Sequence, residues 1–125
     1  MKQQILDYVS RNDWVSFAEL QNRIDGFKAA PGDPAMELGL EAFANIVLWQ
    51  GLSQAAVKAL KELLAEGKLH WRTGSPLSYY CDGAALQLPV VEQAKSYSEP
   101  HWLPVFYRPG PMPQGRRSKR SATRQ

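Results

Sequence analysis

The apolar positions of the chain fall into two rhythms. In residues 2–12, Ile5, Leu6 and Val9 share one stripe at helical spacing, with Tyr8 at its edge, and Asn12-Asp13 supplies a turn signal that ends the segment. Trp14-Val15 is a short extended piece of β-favouring residues. Ser16 predicts a helix N-cap, Glu19 three residues later completes a capping box, and a helix over 17–24 turns Phe17, Leu20 and Ile24 inward before Asp25-Gly26 stops it. The clearest helix spans 54–66: Ser53 is its cap, Val57, Leu60, Leu63 and Leu64 form its apolar face, and Gly67 closes it. Lys68 to Arg72 then switches to period two, with Leu69 and Trp71 on one side and Lys68, His70 and Arg72 on the other.

Between these elements the pattern weakens. Gly26, Pro31, Gly32, Pro34 and Gly39 break residues 25–40, so an inserted loop occupies about 25–50, with a helical turn at 35–43 and a buried strand at 45–49. Gly51-Leu52 reads as a turn, as does Thr73-Gly74-Ser75-Pro76. Leu77–Cys81 reads as a strand paired with 68–72, and Ala85–Leu88 as a third. The Pro-interrupted run Trp102–Tyr107 is expected to lie as an extended edge against the body. Residues 108–125 have nothing to bury and are expected to be a disordered tail, leaving one domain over 1–107.

Two stretches carry a family resemblance. Ile5-Leu6-Asp7-Tyr8-Val9 through Trp14-Val15-Ser16-Phe17-Ala18-Glu19-Leu20 is one, and Leu52-Ser53 through Leu63-Leu64-Ala65-Glu66-Gly67-Lys68-Leu69 is the other. Their order of helix, short strand, helix, insert, helix and hairpin resembles the winged helix-turn-helix family over most of 3–83, with an atypical insertion before the third helix. The resemblance implies an α+β fold: a winged-helix-like three-helix core with a small antiparallel sheet, the wing. It also implies that helix 54–66 enters the DNA major groove.

Charge changes this picture. The formal net charge is +3, but Arg108, Arg116, Arg117, Lys119, Arg120 and Arg124 lie in residues 108–125 without an acid. Residues 1–107 therefore hold nine basic and twelve acidic residues, a net of −3. The basic character belongs to the tail.

The candidate nucleic-acid-binding residues follow. Gln54, Lys58 and Lys61 lie opposite the apolar face of the third helix, where Gln can bond adenine edges and Lys guanine or phosphate. Glu62 and Glu66 on the same helix balance both lysines, and any solvated helix face needs such polar residues. Lys68, His70 and Arg72 on the strand can lie along phosphates, although an outer sheet face carries polar residues in any case. Arg116, Arg117, Lys119 and Arg120 can neutralise several phosphates, or simply solubilise the chain. The four tryptophans sit at core spacing rather than as a stacking surface.

Catalysis finds little support in the residues. Cys81, His70, His101 and Asp82 include the types for a Cys-His pair, but nothing in their spacing assembles one, and Cys81 reads as a small buried hydrophobe. Motifs for a metal, a cofactor or a phosphate loop are missing, so no enzyme, cofactor or small-molecule substrate is expected. The apolar runs are too short for a membrane span, no secretory signal is visible, and one cysteine permits no internal disulfide. The expected protein is cytoplasmic, or nuclear if eukaryotic. It is a small DNA-binding protein, such as a transcriptional or mobile-element regulator. The alternative is a winged-helix protein-interaction module that uses segments 25–50 and 100–113 as contact surfaces.

Overall fold

The computed structural model describes residues 1–113. Helix α1, Lys2–Asn12, forms where the first apolar stripe predicts it and buries Ile5 and Val9. Strand β1, Val15–Ser16, leads directly into helix α2, Phe17–Arg23. The Ser16 Oγ caps α2 by accepting from the Glu19 N–H at 3.0 Å. The Glu19 carboxylate does not complete the reciprocal half of the box; it accepts the Tyr8 hydroxyl and so ties α2 to α1. Phe17, Leu20 and Ile24 are buried as the pattern predicts.

The segment between α2 and the next helix is a hairpin rather than a loop. Strand β2, Met36–Gly39, pairs antiparallel with strand β3, Ile46–Leu52. The helical turn expected over 35–43 is therefore replaced by a strand. Met36, Leu38 and Leu40 alternate with exposed positions, and that period fits a strand with one face on the core. Gly51 does not form a turn; it lies inside β3 at φ 75°, where the register slips between Trp49 and Leu52. An extra residue accommodated in left-handed geometry is the signature of a bulge, and glycine meets it without strain.

Helix α3, Gln54–Ala65, follows, then strand β4, Leu69–Thr73. Residues 76–81 form helix α4, Pro76–Cys81, instead of the expected strand. Ser75 caps it by accepting from the Leu77 N–H at 3.1 Å, and Pro76 occupies the first turn, where its missing N–H costs nothing. Tyr79 is fully buried in consequence, donating to the Val105 carbonyl at 2.5 Å while accepting from the Phe17 N–H. Residues 85–88 form no strand; Ala85, Leu86 and Leu88 pack half-buried against the core.

The last two strands are β5, His101–Trp102, and β6, Val105–Pro109. The expectation of an edge is reversed here, because β6 is the central strand of an antiparallel sheet ordered β1-β6-β4. Val105, Phe106 and Tyr107 are buried, and the prolines sit just before and at the end of the strand, where no ladder donor is lost. The expected domain boundary at 107 falls within this strand. A second sheet, ordered β2-β3-β5, includes a parallel pair between β3 and β5. The fold is thus mixed α+β, with four helices and two small three-stranded sheets. Phe17, Trp49, Tyr79, Trp102, Phe106 and Tyr107 form an aromatic core between them. No helix among the described residues is long and apolar enough to cross a membrane.

Candidate nucleic-acid interface

Helix α3 is fixed at both ends. The Ser53 Oγ accepts from the Ala56 N–H at 3.1 Å and donates to the Gly26 carbonyl at 2.6 Å, so the cap also ties the helix to the end of α2. At the other end the Lys68 N–H reaches the Leu63 carbonyl and the Gly67 N–H the Leu64 carbonyl, a Schellman closure. Ala56, Val57, Ala59, Leu60 and Leu63 are buried. The opposite face presents Gln54, Lys58 and Lys61, all exposed, at i, i+4 and i+7.

The charges on α3 do not cancel along the helix itself. Lys2 of α1 reaches Glu66 at 2.6 Å and Glu62 at 3.4 Å, and Lys68 reaches Glu66 at 3.5 Å. The hydrogen bond from Lys2 holds the Glu66 carboxyl below its ordinary range and raises the Lys2 ammonium above its own. Both acids are thus engaged from outside the stripe. Among the described residues no carboxylate pairs with Lys58 or Lys61.

Strand β4 meets the expectation only in part. Lys68 and Arg72 are exposed, and Lys68 is shared with Glu66. His70 is not a solvent-facing residue: it is only 7% exposed, and its Nδ1 donates to the Gly110 carbonyl at 3.0 Å. Its Nε2 is buried without a partner among the described residues. The strand end at 108–110 covers this ring because β6, and not residues 77–81, lies beside β4.

A third group escaped the sequence reading. Trp14 is 44% exposed, not a core residue, and stacks on Phe106 with ring centroids 5.1 Å apart and planes 6° from parallel. Arg108 lies over the Trp14 ring at 5.8 Å and grips Asp13 through Nε and Nη2 at 2.9 and 3.0 Å. This fork holds the Asp13 carboxyl below the ordinary carboxylate range. Trp49 and Trp102 are buried as expected, and Trp71 is half-buried. Only the turn signal at Asn12-Asp13 hinted that the next ring would be displaced to the surface.

The expected tail residues Arg116, Arg117, Lys119 and Arg120 lie outside the described residues. The chain leading to them runs beside the end of α3, because the Gly110 N–H donates to the Lys68 carbonyl at 2.8 Å. The residues weighed for catalysis have separate engagements. Asp82 accepts from the Ser16 hydroxyl, the His101 ring stacks on Tyr97, and Cys81 is exposed rather than buried.

No protein-family model, curated protein or solved structure matches the chain. The winged-helix resemblance therefore rests on the chain's own residues.

Proposed function

We propose that this protein binds nucleic acid, with the exposed face of α3 as its duplex-DNA contact. The observation that carries the reading is the stripe Gln54, Lys58 and Lys61, whose cations have no carboxylate partner among the described residues, while Lys2 and Lys68 engage Glu62 and Glu66. An unpaired cation is available to a phosphate, and an amide four residues away can bond a base edge. The element order supports the winged-helix reading. Helices α1, α2 and α3 are followed by antiparallel strands β4 and β6, with β1 added to the same sheet. Residues 74–104 stand where the tight wing turn was expected, and 24–53 separate α2 from α3.

Gly110, beyond which the basic tail residues follow in sequence, is held beside the end of α3. Arg116 is six residues beyond Gly110, a reach of at most about 20 Å from the end of α3. Duplex binding by the full chain across a salt series tests the reading. Replacing Lys58 and Lys61 by alanine is expected to lower the log–log salt slope by about 2, since each phosphate contact contributes about one. An unchanged slope would remove α3 from the interface.

A protein-binding reading is favoured by a different observation: Leu77 and Tyr80 on α4 are 70% and 61% exposed. The contact surface expected at 100–113 is less suited to it, because Trp102 and Val105–Tyr107 are buried.

A further inference from the structure

The second surface with nucleic-acid chemistry lies around Trp14, and the α3 stripe makes no use of it. Asp13 and Trp14 have φ values of 42° and 57°, two successive non-glycine residues at positive φ. Backbone of this kind persists only where its surroundings over-determine it, and such outliers cluster at functional sites. Here the Arg108 fork clamps Asp13, and the Trp14 N–H bonds back to the Asp13 Oδ1 at 2.7 Å. The result is a large indole held at the surface, backed by Phe106. Gly74 makes room for this stack: a Cβ there would lie 2.3 Å from the Phe106 ring and 3.2 Å from that of Trp14.

The cations around the ring are arranged by strand register. Arg72 is directly opposite Phe106 across the β4–β6 ladder, so the two project from the same face of the sheet. Arg108 follows Phe106 by two positions and shares that face. Arg72 is exposed and pairs with no carboxylate among the described residues.

We propose that Trp14 is a stacking platform for an unpaired nucleobase, with Arg72 holding a flanking phosphate of a single strand and Arg108, paired with Asp13, positioning the ring. A flat aromatic surface beside an exposed guanidinium matches both parts of that ligand, the ring and the anion, and binds with little sequence preference. The proposal goes beyond the duplex reading of α3, because it concerns a different surface and a different form of nucleic acid.

The test uses the full chain, a twelve-nucleotide oligo-deoxythymidine and a duplex of mixed sequence, followed by fluorescence anisotropy. Trp14→Gly removes the ring while relaxing the left-handed backbone. It is expected to weaken oligo-deoxythymidine binding about tenfold or more and to leave duplex binding unchanged. Trp14→Phe keeps a stacking face and is expected to lose less than about threefold. Arg72→Ala is expected to weaken the single-strand complex and reduce its salt slope by about 1. Wild-type affinity for the single strand in Trp14→Gly would overturn the proposal. So would a failure of the wild type to bind it at low salt, or an oligoglutamate peptide bound as tightly with the same dependence on Trp14. Loss of duplex binding on changing Lys58 and Lys61 is independent of these results, so either reading can fail while the other stands.

Discussion

Helix α3 and the segment 68–72, which runs into strand β4, each offer three polar residues suited to phosphate or base contact, and they fare differently in three dimensions. All three of α3 remain exposed. On β4 the middle one, His70, is covered and bound to Gly110, while Lys68 and Arg72 stay at the surface. A helix satisfies its own backbone, so its outer face follows from the position of its apolar stripe alone. A strand must pair with another, and what covers its faces depends on which segment arrives. In β4 that segment is β6, drawn from the far end of the chain.

Five changes can break or sharpen this contrast. The largest effect is expected from Leu60→Ala, which empties a fully buried site under α3. A loss of about 2–5 kcal/mol in urea unfolding is expected, and a smaller loss would mean that α3 is weakly anchored. Truncation after Pro113 removes Arg116, Arg117, Lys119, Arg120 and Arg124. It is expected to lower the log–log salt slope for duplex binding by about 4 to 5 if all five meet phosphates. A slope unchanged by the truncation would assign binding to the body alone.

His70→Ala separates the two elements most directly. It leaves the Gly110 carbonyl without its side-chain donor and is expected to cost about 1 kcal/mol, seen as a melting temperature lower by a few degrees. Duplex affinity measured well below that temperature is expected to stay the same. The double replacement of Lys58 and Lys61 gives the converse result, weaker binding at unchanged stability. A binding defect in His70→Ala would restore the histidine to the interface.

The smallest effect concerns pH. Hydrogen bonding from Arg108 depresses the Asp13 carboxyl in the folded protein, so folding favours the ionised form. The stability from this pair is fully present above the ordinary carboxylate range and is lost as pH falls through the depressed folded value. Both side chains are more than a third exposed, so solvent screens the pair and the acid-induced change is expected to be slight. Asp13→Asn is expected to abolish this part of the acid dependence in thermal melts between neutral pH and pH 3.

The local signals read well wherever a residue's neighbours in sequence decide its place. Ser16 and Ser53 cap the helices that the sequence assigns to them, and the stripes of α1, α2 and α3 bury most of the residues that the helical period singles out, with Leu6 and Leu64 only half-buried. Some missed elements also left signals. Ser75-Pro76 is a helix start that β-favouring Tyr79 and Tyr80 obscured, and Met36, Leu38 and Leu40 alternate as a strand does.

By itself, the sequence determined three helices, their buried faces, an exposed Gln54-Lys58-Lys61 stripe, and a charge split that leaves residues 1–107 at −3. Those properties depend on helical period, caps and ionisable groups, all set within a few residues of one another. The tertiary structure decided the rest. It placed β6 between β1 and β4, covered His70, and set Trp14 over the buried Phe106 ring, with Arg72 and Arg108 on the same sheet face as Phe106. Each of these joins residues far apart in the chain, and strand pairing is chosen by competition among whole segments for one edge. No local pattern carries the outcome of that competition.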